Sequence, residues 1–403
     1  MRSRLEQRAH RCGRLWCLTA AVSSAIWLSC SNGGGGGSPS ANQNTGDSNA
    51  NAPAANENAN LNTNDNVNGV ANANTSANEN GPPEPAARWL IVHQDLPAAL
   101  RSVQVTANGD VYAVGGDTFD GGGPYVIRYD ASGWTQLRTG LDAGALWWVH
   151  EVGTDEIWMS GQDRLVLRYQ PSTNAFTAVA PPPGSDTLFG IWGLSSHDVW
   201  AVGGTQTRGR VLRYDGASWS VVDEATISPS GLPPLFKVWG PRRDDVWIVG
   251  LGGVAIRFDG SAYALEQTET GRTLFTVHGQ ADGANLTAVG GVQPGEIWER
   301  IDGQWTQIAP EGAIQVNGVN FGPGGEGFAV GVFASTFQRL DGQWVLESNG
   351  LDAISDLDFH AVWVAPDGAA WAVGGELNRS PFDRGMVAYF GTGDPRGPIE
   401  EAE

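Results

Sequence analysis

Between about residue 88 and residue 391 the chain alternates short apolar segments with polar turns, and one such unit recurs. In the copy from Leu188 to Val221, four segments of three to five residues have the alternation of strands, with Ser, Asp and Gly in the turns between them. A four-stranded unit this short cannot bury both faces of its sheet, so its copies must pack against one another. The pattern predicts an all-β repeat fold.

Seven copies are present. A glycine ends the second strand of each copy, and these marker glycines follow one another at intervals of 40 to 47 residues. They are Gly115, Gly161, Gly203, Gly250, Gly290, Gly331 and Gly374. This period predicts a seven-bladed β-propeller of four-stranded antiparallel blades over residues 87–392. The last copy lacks a fourth strand, whereas Trp89 to Val92 matches the Trp-led fourth strands elsewhere. We therefore expect the N-terminal strand, residues 88–93, to complete the last blade.

Two recurring columns of residues have structural explanations. The position three before the marker glycine is aromatic in six of the seven copies, which predicts packing between neighbouring blades. Arginines end the third strand in six copies, and Asp or Glu opens the second strand in five of those six. Because antiparallel pairing places these charges side by side, we expect cross-strand ion pairs rather than an anion site.

The N-terminal region has the pattern of a secretion signal. Five arginines fall in residues 1–14, and the apolar run over residues 15–28 is too short to span a bilayer, so residues 1–29 are predicted to be a signal peptide. Leu28-Ser29-Cys30 resembles the lipobox of bacterial lipoproteins. The resemblance implies lipidation of Cys30 and an extracytoplasmic envelope lipoprotein of the outer membrane, on its periplasmic or surface side. An ordinary secretory signal and an uncleaved anchor are the alternatives.

The segments that flank the repeats differ from them in composition. Residues 30–86 are rich in Asn, Gly and Ala and have almost no large apolar side chains, which predicts a disordered tether. Residues 393–403 are acidic and are expected to form a disordered tail. The chain carries 24 basic and 44 acidic residues, a formal net charge of −20. Such a field repels nucleic acid, so we expect no nucleic-acid partner, membrane contact through the lipid anchor only, and a monomer. No function is assigned to the single lysine, Lys237.

The repeats carry a family resemblance. Gly-Gly after the second strand, then an aromatic and a Trp, as in Gly115-Gly116, Tyr129 and Trp134, is similar to kelch-type propeller repeats. The Asp-Val-Trp-Ala-Val-Gly string resembles repeats of secreted bacterial propeller lipoproteins. The resemblance implies a ligand-binding or scaffolding module without shared catalytic residues.

Candidate binding residues lie on the first strand of each blade, which faces the central channel of a propeller. One equivalent position on that strand is polar or aromatic in every copy. Its occupants are Gln104, His150, Trp192, Trp239, His278, Asn320 and Trp363. They are expected either to contact a ligand or to line a water-filled channel. Of Trp147 and Trp148, one ring is expected in the core and the other is available to stack on a sugar or peptide.

Loop lengths distinguish the two faces of the propeller. Connections from first to second strand and from third to fourth are short, whereas those on the opposite side are long and varied, and binding groups concentrate where loops vary. We call this side the long-loop face; its longer loops are residues 116–124, 181–187, 228–234, 348–356 and 376–384. Five carboxylates there are candidate Ca²⁺ ligands, with a solvated acidic edge as the alternative, and no other cofactor is expected. They are Asp352, Asp356, Asp358, Glu376 and Asp383.

The sequence is compatible with two classes of function. The favoured one is a non-catalytic module that binds a protein, peptide or glycan through the long-loop face. The alternative is a glycan-active hydrolase or lyase that uses Asp117, Asp120 and Asp163 as acid and base; Asp117 and Asp120 are also candidate ligand contacts. A retaining glycosidase needs two carboxyl groups about 5 Å apart, so their positions distinguish the two classes. None of the common catalytic sequence motifs occurs in the chain, so the enzyme hypothesis rests on the three carboxylates alone.

Overall fold

The computed structural model describes residues 86–402, and these form seven β-sheets. The first strand of each sheet packs against the first strands of its two neighbours, and the seventh packs against the first, so the sheets form a closed ring around a channel. The predicted seven-bladed β-propeller is thereby confirmed. The signal peptide, Cys30 and the tether up to residue 85 lie outside the described residues, and these predictions stay predictions.

The strands follow one another blade by blade after β1 (Arg88–Leu96). Blade one holds β2 (Leu100–Val105), β3 (Val111–Asp117), β4 (Pro124–Asp130) and β5 (Gly133–Gln136). Blade two holds β6 (Leu146–Glu151), β7 (Ile157–Gly161), β8 (Val166–Gln170) and β9 (Ala175–Ala178). Blade three holds β10 (Thr187–Ser195), β11 (Asp198–Gly204), β12 (Gly209–Tyr214) and β13 (Trp219–Val221). Blade four holds β14 (Leu235–Arg242), β15 (Asp245–Gly250), β16 (Ala255–Phe258) and β17 (Tyr263–Glu266).

The remaining blades repeat this order. Blade five holds β18 (Leu274–His278), β19 (Thr287–Gly290), β20 (Glu296–Ile301) and β21 (Gln304–Gln307). Blade six holds β22 (Val316–Phe321), β23 (Gly327–Gly331), β24 (Thr336–Leu340) and β25 (Gln343–Leu346). Blade seven holds β26 (Asp358–Val364), β27 (Ala370–Gly375) and β28 (Gly385–Gly391), and β29 (Ile399–Glu401) ends the chain. Five single-turn 3₁₀ helices lie in the connections: Gln162–Arg164, Pro171–Thr173, Glu224–Thr226, Leu251–Gly253 and Asp352–Ile354. Within residues 86–402 no helix is long and apolar enough to cross a membrane.

The ring closes through the N-terminal strand, as the sequence predicted. β1 pairs antiparallel with β28, and Trp89 lies opposite Phe390. The Trp89 indole is buried against Phe328, Phe359 and Phe390, and its N–H donates to the carboxylate of Glu347 in blade six at 3.0 Å. The closing strand therefore joins blades six and seven as well as the two ends of the chain.

The C-terminal segment corrects an expectation, because residues 393–403 were predicted to be a disordered tail. β29 instead pairs in parallel with β5, so blade one has five strands. The Trp134 indole N–H donates to the carbonyl of Pro395 at 2.8 Å, and Arg138 pairs with Glu401 at 2.8 Å. An open sheet edge offers unpaired backbone groups, and here the chain's own terminus occupies them.

The aromatic and charged columns pack largely as predicted. Trp158 contacts Trp219 of the next blade, and Trp247 contacts Trp305 in the same way. The ion pairs Arg168–Glu156, Arg213–Asp198 and Arg257–Asp245 form as expected across neighbouring strands. The other three arginines differ, since Arg128 pairs with Asp130, Arg300 with Glu266 and Arg339 with Glu299. Arg128 and Arg339 therefore pair with a carboxylate other than the predicted one. Arg300 of blade five has a partner although none was predicted for it.

A β-bulge recurs at one position of all seven first strands. The residue opposite the marker glycine is followed by one extra residue before regular pairing resumes, as between Leu100 and Ser102. The marker position must be glycine because a Cβ there, for example on Gly203, would collide with a backbone carbonyl of the first strand. A bulge redirects the side chain of its extra residue. We call these seven residues the bulge ring: Arg101, Trp147, Phe189, Phe236, Phe275, Asn317 and His360.

Candidate functional site

The bulge ring surrounds a cavity of about 90 Å³ at the long-loop end of the channel, and all seven of its members line this cavity. Leu377, Asn378 and Phe382 from the β27–β28 loop also contribute to its wall. A volume of 90 Å³ corresponds to roughly three water molecules. The cavity therefore suits one side chain or one chain terminus of a larger ligand.

Two cations contribute to the cavity wall, Arg101 on the bulge ring and Lys237 one residue after the ring position of blade four. Each side chain belongs to a residue that is only 4% exposed. The Lys237 ammonium donates to the Phe189 carbonyl at 3.3 Å and lies 3.3 Å from the centre of the Trp148 ring. The Arg101 guanidinium lies over the Trp147 ring at 4.2 Å. Within residues 86–402 neither cation makes an ion pair, and Nε and Nη1 of Arg101 have no hydrogen-bond partner.

Burial controls the protonation of the groups around the cavity. It lowers the pKa of Arg101 to about 10 and holds that of Lys237 well below the value of a free lysine. Burial, followed by the charge of Lys237, lowers the pKa of His360 to about 3. Neutral His360 donates through Nδ1 to the carbonyl of Arg101. Burial also raises the pKa of Asp358, which accepts from the Phe333 amide at 3.0 Å and from Asn378.

The predicted tryptophan pair divides as expected. Trp148 is buried in the core, whereas Trp147 is partly exposed and lines the cavity. The Trp147 ring also packs edge-on against Phe189 with centroids 4.9 Å apart. Trp147 therefore belongs to the cavity wall, with Arg101 over its ring, and its binding role stays a prediction.

The predicted channel residues lie at the opposite, short-turn end, where they surround an open space of about 460 Å³. Gln104, His150, Trp192, Trp239, His278 and Trp363 line this space, whereas Asn320 is buried beside it.

Most polar side chains of these predicted channel residues form hydrogen bonds with the protein's own backbone. His150 Nε2 donates to the Gly193 carbonyl at 3.1 Å, His278 Nδ1 accepts from the Phe321 amide at 3.1 Å, and Asn320 accepts from Val364 at 2.9 Å. Burial lowers the pKa of His150 to about 4 and that of His278 to about 3, so both imidazoles are neutral near pH 7.

The carboxylates proposed as catalytic acid and base lie outside both spaces, with Asp117 at the end of β3 and Asp120 in the loop that follows it. Asp117 accepts from the amides of Phe119 and Gly144, each at 2.8 Å. Asp120 accepts from Thr118 and the Gly122 amide, and these hydrogen bonds lower its pKa. Asp163 lies in a 3₁₀ turn. Asp120 thus stabilises its own loop, and Asp117 joins that loop to the connection between β5 and β6.

The candidate calcium ligands also have other partners. Asp356 pairs with Arg384 at 2.6 Å, Glu376 pairs with Arg379 at 2.8 Å, and Asp352 begins an exposed 3₁₀ turn. Asp383 contributes its backbone carbonyl to the Glu376 amide. No group of three or more metal-ligating side chains converges anywhere in the described part of the chain. The geometry gives the calcium hypothesis no support, and only Asp358 of this set lines the cavity.

Reasoning from the sequence missed most of the cavity. Arg101, Lys237 and the three ring phenylalanines were not candidates, because a bulge is set by backbone pairing and leaves no alternation pattern. One usable signal was present, since each ring residue follows the apolar residue that pairs with a marker glycine. A second was the position of the only lysine on a first strand.

Comparison with solved structures supports the fold. YCF48 from Cyanidioschyzon merolae has a TM-score of 0.57 at 13% identity and covers 75% of this chain and 99% of its own. The WD40 β-propeller domain of Doa1 has a TM-score of 0.56 at 10% identity, covering 77% of this chain and 99% of its own. A structure of YCF48 bound to D1 peptide has a TM-score of 0.53 at 16% identity, with coverages of 75% and 96%. No protein-family model and no curated protein sequence matches the chain. At these identities the similarity shows a β-propeller, a fold that commonly serves as a binding or scaffold module.

Proposed function

We propose that the chain is a lipid-anchored, extracytoplasmic binding module that takes one side chain or one chain terminus of a peptide into the bulge-ring cavity. Its kelch-like character and the lipidation of Cys30 belong to the same proposal. The observation that carries it is the recurrence of one bulge in all seven blades, which turns one side chain from each blade toward a single cavity. Bulges concentrate beside functional sites because they re-aim side chains.

Two features favour a peptide over a folded partner or a glycan. The cavity admits one side chain or chain terminus, and its wall combines five tryptophan and phenylalanine rings with buried hydrogen-bond donors. Pockets of this composition bind apolar groups and orient them through a few polar contacts. A propeller of similar fold has been solved bound to a peptide.

Selection from a displayed random-peptide library tests the proposal, with the full chain held in detergent. Enriched peptides are then titrated against Trp147→Ala and against Phe119→Ala. Phe119 is the matched control because it is a 57% exposed aromatic on the same face that does not line the cavity. We expect Trp147→Ala to weaken binding at least about 30-fold, as for an aromatic hot spot, and Phe119→Ala to leave it unchanged. Equal affinities for both variants, or no enriched peptide, would refute the proposal.

A further inference from the structure

We propose that Arg101 and Lys237 form a binding site for a single carboxylate within the bulge-ring cavity. This inference rests on the proposed peptide-binding function and specifies the chemistry that the cavity recognises. The ligand class is a peptide that presents one carboxylate next to an apolar or aromatic group.

The hydrogen-bonding capacity of the two cations is largely unused. An ammonium has three donors, and Lys237 directs one of them to the Phe189 carbonyl. A guanidinium has five donors, and Nε and Nη1 of Arg101 are buried without a partner. A buried charge that lacks a counter-ion is strongly unfavourable in a folded protein. An anion that enters the cavity would supply the missing acceptors.

The aromatic neighbours hold both cations in place without forming an ion pair with them. Arg101 stacks over the Trp147 ring at 4.2 Å, and Lys237 lies over the Trp148 ring at 3.3 Å. A guanidinium on a ring face keeps its N–H groups in its own plane, directed away from the ring. The site is thus preorganised, because neither side chain must give up an ion pair to accept a ligand.

The charges around the cavity favour a monoanion. The titratable groups that line it are Arg101, Lys237, His360 and Asp358. His360 is neutral near pH 7, so when the Lys237 amine is protonated two cations stand against one carboxylate, and that carboxylate already accepts two hydrogen bonds. One additional negative charge balances this set, whereas a phosphate dianion would exceed it. The rings of Phe189, Phe236 and Phe275 provide apolar contacts beside the anion.

The experiment uses the single lysine of the chain as its reporter. The full-length protein is produced with ¹³C-lysine, so that Lys237 gives the only lysine side-chain signal. Its pH titration is followed alone and with N-acetylphenylalanine, N-acetylphenylalanine amide or N-acetylaspartic acid α-amide. The second probe lacks the carboxylate, and the third carries it on a side chain, which separates a chain terminus from an acidic residue as its source.

We expect the carboxylate probes to raise the pKa of Lys237 by about 1 to 3, as an opposite charge in contact does, and the neutral amide to leave it unchanged. Lys237→Met and Arg101→Met should each weaken carboxylate binding about 10- to 100-fold, as expected when one charged hydrogen-bond partner is removed. A cooperative urea denaturation of each variant shows that it is folded.

The possible outcomes separate this inference from the proposed function. If peptides bind at the cavity while Lys237 responds equally to acid and amide, the carboxylate site is refuted and the binding module stands. If the acid alone shifts Lys237 but no peptide is enriched, the carboxylate site stands and the peptide function fails. If neither carboxylate probe changes the Lys237 signal at saturating concentration, the inference is wrong.

Discussion

Lys237→Met is expected to make the protein more stable while it removes a proposed ligand contact. The native ammonium is buried, has one hydrogen bond and lies on an aromatic ring, with no carboxylate partner in the described chain. Methionine fills a similar volume, can contact the Trp148 ring through sulfur and carries no charge. The substitution therefore removes an unfavourable burial and leaves the packing largely intact.

The expected gain in the free energy of unfolding follows from comparable substitutions, and deprotonation of the lysine sets its upper limit. Replacing buried ions with apolar side chains of similar volume stabilises folded proteins by about 1–4 kcal/mol in favourable cases. The bound follows from deprotonation, because a buried lysine can always lose its proton instead of staying charged. Starting from the ordinary lysine pKa of 10.5, deprotonation at about pH 7 costs roughly 5 kcal/mol, at ~1.4 kcal/mol per pH unit. We expect a gain of about 1–4 kcal/mol.

The pH dependence gives this prediction its distinguishing feature. Burial holds the pKa of Lys237 in the folded chain well below 10.5, so between the two values the unfolded chain binds more protons than the folded one. The free energy of unfolding of the native protein then rises with pH across that window, by up to ~1.4 kcal/mol per pH unit. The variant lacks this contribution, so its advantage is greatest near neutral pH and disappears as the pH approaches 10.5.

Urea denaturation of both proteins at a series of pH values between about 7 and 10 measures the difference, since other titrating groups are common to both. Arg243→Met is the matched control, because that side chain is 76% exposed and its loss should change stability by less than ~0.5 kcal/mol. A Lys237→Met protein less stable than the native one, or an advantage that does not change with pH, would refute the reasoning.

Ring closure, the tail strand and the lipid anchor each give a further expectation. Trp89→Ala should lower the free energy of unfolding by about 3–5 kcal/mol and Trp89→Phe by much less, and a loss below ~1 kcal/mol in urea denaturation would contradict closure through β1. Deleting residues 397–403 should speed amide hydrogen exchange in β5 and leave β28 protected; faster exchange in both would mean that the tail also helps to close the ring. Cys30→Ser should move the protein from the membrane to the soluble fraction, and a variant that stays in the membrane would exclude lipidation as its anchor.

The fold was predictable because its determinants lie in side chains and their spacing. The marker glycines and the aromatic column each meet a packing requirement that recurs from blade to blade. Trp89 belongs to the strand that completes the last blade. The tail strand was not predictable, because Ile399, Glu400 and Glu401 have no pattern of a half-buried strand. Its pairing arises from the vacant edge of β5, which the repeat pattern does not identify as a partner for the terminus.

The binding residues were harder to predict for a related reason. In a regular strand successive side chains point to opposite faces, so the residue after Leu100 or Leu235 is expected on the face opposite to that leucine. The bulge adds one residue at this point in every blade and turns Arg101 or Phe236 toward the cavity. The sequence reasoning selected the ring three residues further on, where pairing is regular. It correctly found a ring of polar and aromatic groups, at the other end of the channel.

The polar side chains at the two ends of the channel differ in how many of their hydrogen-bonding atoms have a partner, and this difference supports the proposed position of the ligand. At the short-turn end, His150, His278 and Asn320 are bonded to the protein's own backbone, and Gln104 keeps one free oxygen. At the long-loop end, Arg101 and Lys237 keep charged donors that no residue of the described chain accepts. Buried groups without partners are rare because they destabilise the folded state. The unpartnered Nε and Nη1 of Arg101 and the unused donors of Lys237 support the proposed ligand at the long-loop end, whereas within the described residues the short-turn end keeps one unpartnered neutral atom, Oε1 of Gln104.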